Sequence, residues 1–237
     1  MGYQVSKKFI ALALPALVLY GGGGKKEKNE VIIHELSDTD MLNPTNYQSA
    51  DAGYYIAQMF MGLWGTNPKT LEYEPVLVKA LPIEEYDSVK NLLSYTAEIR
   101  EEAVWDNGEP VTAKDVAFSL KLYKAPVINN EHNRPYFELI SDVIFYPENP
   151  RKFTIVCNKK YILAKNVAGS FSVMPQYIYD PKHLMDSFSI KDLNEKFNEI
   201  QENATMKAFA TEYNSEKFQR DSGYIVGCGP YAFDQWV

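Results

Sequence analysis

A mixed α/β (α+β) fold is predicted by three features of the sequence. Residues 92–100, LLSYTAEIR, put Leu93, Tyr95, Ala97 and Ile99 on one face and Ser94, Thr96, Glu98 and Arg100 on the other. That period of two belongs to a half-buried antiparallel strand. Residues 112–123 begin with Thr112 and Asp115 at capping-box spacing, and Phe118 and Leu122 share one face of the helix that follows. Strand-like and helix-like runs then succeed one another without the strict βαβ alternation of a doubly wound sheet.

Composition narrows the class. With 237 residues, 46% of them hydrophobic and 14% aromatic, the chain has the material for a buried core, which excludes a disordered polymer. A net charge of −7 excludes the clustered basic face that a nucleic-acid backbone requires.

The elements follow in order. Residues 1–24 read as an export signal: Lys7 and Lys8 precede the apolar run 9–20, and four glycines follow. Twelve apolar residues are too few to span a bilayer, and the glycine run fits no phosphate-loop spacing. Residues 25–30 form a charged linker. EVIIHEL (30–36) is expected to be a strand. Asn43-Pro44 then interrupts regular structure, because a residue before proline avoids the helical region. Residues 50–63 carry helical spacing and are expected to end near Trp64-Gly65, with NPKTLEYEP as a hairpin turn. Asp106-Asn107-Gly108-Glu109 is a corner: Asn-Gly tolerates positive φ, Pro110 stiffens the exit, Thr112 caps the next helix, and Val111 is placed as a hydrophobic staple. FTIVCN (153–158) is a strand entered from the PENP turn. Leu193, Phe197, Ile200 and Ala204 are expected to line one helix, with a second helical stretch through Phe209 and Tyr213.

Reactive groups are sparse. DNGEPVTAKD lacks the alternating oxygen ligands of a calcium loop. His34, His132 and His183 have no H-E-x-x-H partner, and no serine sits in G-x-S-x-G. Asp38, Asp40 and Asp51 are near neighbours, as loop residues of an acidic chain often are. Cys157 and Cys228 allow a single disulfide or two free thiols. No nucleophile, base or metal set emerges, so neither an enzyme nor a cofactor is expected.

The residues that remain carry a family likeness. ALPIEEYDSVKNLLSYTAEIREEAVWDNGEPVTAKDVAFSL (80–120) resembles the signature of family 5 extracellular solute-binding proteins, the peptide- and oligopeptide-binding components of ABC importers. The extended Y-T-x-x-x-R, the W/F-x-D/N-G-x-P turn and the T-A-x-D-V-x-F-S helix occur in order. DMLNPTNYQSADAGYYIAQMFMGLWGTNPKTLEYEPVL is similar to the family's opening segment, and MPQYIYDPKH to its proline-marked crossover. GCGPYAFDQW is similar to its G-T-G-P-Y-x-F-x-x-W motif, with Cys228 in place of a small hydroxyl residue.

The resemblance, over residues 32–237, implies a two-lobed receptor like the type II periplasmic binding proteins. Residues 31–61 would begin lobe I, 62–174 form an inserted subdomain and 175–237 continue lobe I. The second ligand-binding lobe, with the acidic partner of a peptide's amino terminus, would lie beyond the last residue, so very weak peptide binding or none is expected of this chain by itself. The resemblance also implies a monomeric, non-enzymatic receptor in the periplasm or cell envelope, which captures peptides for an ABC permease driven by a separate ATPase. A ligand's backbone would pair with Gln48, Ser49 and Ala50, Tyr136 would face the cleft, and Tyr231 would stand near the interlobe hinge. Leu19-Tyr20-Gly21-Gly22 is similar to a lipoprotein signal with glycine where the lipidated cysteine would stand, so soluble export is expected. Nickel, an oligosaccharide or another small solute is the alternative ligand for such a receptor. A secreted hydrolase is the alternative from another class.

Overall fold

The computed structural model describes residues 32–236 of a chain that divides into two units, Met1–Leu36 and Ser37–Val237. The expected export signal and charged linker lie outside the described residues. In the first unit, residues 32–35 have no regular structure, and Ile32, Ile33 and Leu36 are exposed. The strand expected over 30–36 is therefore not formed in its described part. A strand needs a partner for its N–H and C=O groups, and no described strand pairs with this run.

The second unit opens with helix α1, Ala50–Met59. Its N-cap is Ser49, whose Oγ accepts the Ala52 N–H at 3.2 Å. The helix stops four residues before its expected end, because Phe60 is already extended. The backbone beyond it bonds to another segment instead: Leu63 N–H donates to Gly169 O at 2.8 Å, and Val173 N–H donates to Met61 O at 3.0 Å. β1 (Trp64–Thr66) and β2 (Tyr73–Pro75) then form the expected hairpin, with Leu71 at φ 61° in the turn.

A four-stranded antiparallel sheet follows in the order β3-β4-β6-β5, from β3 (Ile83–Asp87), β4 (Leu92–Glu98), β5 (Ile140–Tyr146) and β6 (Asn149–Cys157). β4 alternates as its sequence requires, with Leu93, Tyr95 and Ala97 buried. Tyr95 faces Ile155 and Ala97 faces Phe153 across the ladder. Helix α2 (Ala113–Lys124) starts where expected: the Thr112 N–H donates to Asp115 Oδ2 at 2.9 Å and its hydroxyl at 3.0 Å.

Two hydrophobic clusters share this helix. Val116, Leu120 and Tyr123 join the sheet, Leu63, Trp64 and the buried Val111. Phe118 and Leu122 join α1 and the later helices. Between and after the strands run the short helices α3 (Arg134–Phe137), α4 (Ala164–Gly169), α5 (Gln176–Tyr179), a 3-10 turn (Leu184–Ser187), and then α6 to α9.

The single helix expected along Leu193, Phe197, Ile200 and Ala204 is three: α6 (Ile190–Glu195), α7 (Phe197–Glu202) and α8 (Ala204–Tyr213). Lys196, at φ −118° and ψ 28°, separates α6 from α7 with no side-chain cap, and extended Asn203 separates α7 from α8, its Oδ1 accepting the N–H groups of Thr205 and Met206. Of the four residues, Leu193 and Ile200 are buried while Ala204 is exposed. α9 (Lys217–Arg220) closes the series. Cys157 and Cys228 are free thiols, so the disulfide left open by the sequence is absent. Burial pushes Cys157 up to about 12 and Cys228 up to about 11, which leaves both protonated and inert at neutral pH.

Candidate functional site

The Asn-Gly corner is structural. Trp105 N–H donates to Glu109 O at 2.8 Å, Gly108 N–H to Trp105 O at 2.9 Å, and Gly108 takes φ 84°. Tyr177 donates its hydroxyl to Asp106 Oδ1 at 2.7 Å, tying the corner to α5.

The opening segment 42–47 is fixed by a buried polar network. Asn43 Oδ1 accepts from the Thr45 N–H and hydroxyl, both at 3.0 Å, and from the Tyr213 hydroxyl at 3.1 Å. Tyr213 also meets Thr45 Oγ1 at 2.7 Å. Asn46 donates to Asn214 Oδ1 and Asn133 donates to Thr45 O. An asparagine that bonds its own backbone two residues on is a preformed turn. Here that turn is nailed to α8 and to the residue preceding α3.

These anchors set Tyr47 on the rim of a hollow of about 280 Å³ between the opening segment, α2, α3 and α4. Its floor is aromatic: Tyr123 stacks on Phe137 at 4.5 Å, and Phe171 meets both rings edge-on at 6.0 and 6.1 Å. Asn133, Asn166 and Ser172 supply polar groups, and no charged residue is among the described lining. Burial pushes the Tyr123 hydroxyl up to about 12, so it stays protonated and donates to Pro44 O at 3.4 Å. An uncharged aromatic wall with a few amides suits an apolar or aromatic ligand group held by stacking and oriented by hydrogen bonds.

The residues expected from the sequence fall as follows. Tyr136 is 60% exposed and lines the hollow. Gln48 and Ser49 follow Tyr47 on the chain, and both are tied to Asp40: the Gln48 N–H and the Ser49 hydroxyl each donate to its carboxylate at 2.7 Å. Burial opposes ionisation there, but the bonds from Ser49 and Gln48 prevail and hold the Asp40 carboxyl below its usual range. Ala50 is already the first residue of α1, so only Gln48 and Ser49 precede the helix.

Tyr231 is 62% exposed and lies away from the hollow's lining. Its N–H donates to Gln58 O at 3.2 Å, while Gly229 N–H donates to Met59 O at 2.7 Å. Those carbonyls are among the ones that α1 leaves unpaired at its C-terminus. The GCGPY motif is thus the cap of α1, and its glycines permit the approach. Sequence reasoning missed Tyr47, Tyr123 and Phe171; the aromatic content of 14% was the only local signal, and it does not single out which rings converge.

Residues 74–237 match the family described as bacterial extracellular solute-binding proteins, family 5 Middle. The chain belongs to this family. No curated protein matches it in sequence. Among solved structures, it is similar to the oligopeptide-binding protein of Thermus thermophilus complexed with a pentapeptide, at TM-score 0.58 and 23% identity, covering 83% of this chain and 33% of that one. It is similar to the oligopeptide-binding protein AppA of Bacillus subtilis in complex with a nonapeptide, at 0.59 and 17%, covering 86% and 33%. NikZ of Campylobacter jejuni in complex with Ni(L-His) matches at 0.57 and 23%, covering 85% and 32%. The family 5 chain therefore has the mixed α/β fold of the type II periplasmic binding proteins, and it spans about a third of the length of these relatives. Among the described residues no helix is long and apolar enough to cross a membrane, and no group of three His, Cys, Asp or Glu residues is placed to hold a metal.

Proposed function

We propose that this chain is part of the substrate-binding component of an ABC importer, and that it receives peptides outside the inner membrane and passes them to the permease and its ATPase without catalysis. The observation that carries the reading is the uncharged aromatic hollow, with Tyr47 and Tyr136 at its edge and Gln48 and Ser49 next on the chain after Tyr47, in a family 5 fold. A peptide's backbone would meet the segment at Gln48–Ala50, and one of its side chains would enter the hollow. Main-chain pairing ignores side-chain identity, and a neutral aromatic wall accepts many apolar ones. Residues 31–61 and 175–237 are assigned to lobe I and 62–174 to the inserted subdomain, with the periplasm or cell envelope as the location.

Native mass spectrometry of the full-length receptor after gentle purification, followed by titration calorimetry with defined tripeptides and with Ni(L-His), tests the reading. Peptide-sized added masses are expected. Tyr136→Ala should weaken binding of an aromatic-containing tripeptide at least tenfold, about 1.4 kcal/mol. Saturable binding of the nickel complex with none of peptide would overturn the ligand class. Peptide binding untouched by Tyr136→Ala would overturn the site.

A further inference from the structure

A second cavity, of about 280 Å³, opens where the C-terminal end of α2 meets α3, α6 and α7. Its chemistry is unlike that of the aromatic hollow. Lys124, only 3% exposed, forms one wall, and Arg134 forms another. Lys124 Nζ donates to Phe137 O at 2.6 Å and Ile140 O at 2.9 Å, two of the three bonds that an ammonium can make. Arg134 places its outer nitrogen on Asn130 Oδ1 at 2.7 Å, and its guanidinium lies 5.1 Å from the Phe197 ring centre. Its Nε is buried with no hydrogen-bond partner among the described residues.

The carboxylate nearest in the lining is Glu138, and no ion pair joins it to either cation among the described residues. α6 and α7 contribute only the neutral Leu193, Asn194 and Phe197. Two buried or half-buried cations therefore line the space with a single carboxylate, Glu138, while the amide nitrogens of Asn158 and Asn194 donate to Glu138 O at 3.3 Å and Ile140 O at 2.9 Å. A buried donor left unpaired is costly, and a planar guanidinium fork matches an oxyanion.

We infer that the Lys124–Arg134 cavity is a binding site for a small oxyanion, a carboxylate or a tetrahedral dianion, separate from the aromatic hollow. The anion pairs with the Lys124 ammonium and the Arg134 guanidinium, which wall the cavity. The cavity lies between α2, α3 and the residue after β6 on one side and α6 and α7 on the other.

The site also has a defined pH response. Burial depresses Lys124 to about 7, against weaker opposing effects of Glu138 and Cys157; Arg134 is lowered by burial too, against Glu131 and Glu138. A bound anion favours the ammonium and raises the Lys124 pKa, so binding takes up a proton above pH 7. Affinity is then greatest below about pH 7 and falls as the pH climbs above it.

Sulfate and acetate are the probes, since neither changes charge between pH 6 and 8.5. Calorimetry on the full chain at constant ionic strength, with chloride as the reference salt, should show saturable 1:1 binding at pH 6. Binding should weaken at least tenfold by pH 8.5, with proton uptake read from buffers of different ionisation enthalpy. Arg134→Gln should weaken binding at least tenfold, and Asn194→Asp, which adds a negative charge to the wall, should abolish it. Stronger binding of sulfate assigns a tetrahedral ligand, and stronger binding of acetate a carboxylate. Lys124→Met serves as a further variant, but the proposal stands on the other two if that chain fails to fold. Non-saturable heats equal to those of chloride, or binding unchanged in Arg134→Gln, would overturn it.

Discussion

Gly229→Ala is the sharpest probe of the way the C-terminal motif holds α1. A Cβ at this position would stand 2.5 Å from Gln58 O, 2.6 Å from Met59 C and 2.7 Å from Met59 O. All three are backbone atoms of a helix end and cannot rotate away. The added methyl must therefore push the motif off α1, stretching the bonds from Gly229 to Met59 O and from Tyr231 to Gln58 O. Overpacking costs about 1–3 kcal/mol, and each weakened bond adds about 1 kcal/mol or less. A loss of roughly 2–4 kcal/mol lowers the melting temperature of a chain this size by about 5–15 °C. Gly223→Ala is the matched control, since nothing lies within 4 Å of its added Cβ, and it should change stability by less than about 0.5 kcal/mol. Scanning calorimetry of the two variants decides. Gly229→Ala melting with the wild type would refute the capping role.

Two further outcomes follow from the corner and the opening segment. Gly108→Val should cost about 1–3 kcal/mol in urea denaturation, chiefly through its positive φ, because no atom lies within 4 Å of an added Cβ. Tyr213→Phe removes the hydroxyl shared with Thr45 and Asn43 and leaves both without that buried partner, at about 1–3 kcal/mol; an unchanged denaturation midpoint would show that the network does not hold the opening segment.

Local patterns were legible wherever the local sequence decides the outcome. The alternation of β4, the Thr112–Asp115 cap and the Asn-Gly corner all appear as read. What escaped is set by distant partners. β3 is exposed along its whole length and shows no buried face; it is a strand because Ile83 to Asp87 pair with Thr96 to Leu92. In β5 a register shift between Ile140 and Asp142 breaks the period of two, which hides the strand from a pattern search. The end of α1 at Met59 depends on bonds to residues 169 and 173, more than a hundred positions away. The aromatic hollow is of the same kind: its stacked floor gathers Tyr123, Phe137 and Phe171 from three separate stretches. The motif GCGPY was readable as a family sign, while its local work, closing the carbonyls of α1, needed the partner helix in view.

The position of α2 between two cores has a thermodynamic consequence. Dissolving the packing around the sheet strips Val116, Leu120 and Tyr123, and dissolving the helical side strips Phe118 and Leu122. In either case a twelve-residue helix is left with half of its apolar surface in water, and isolated helices of about that length are marginal. Neither half retains an intact partner once the other has opened. Opening one cluster of residues 37–236 therefore exposes a helix face that the other needs, which couples the stabilities of the two clusters.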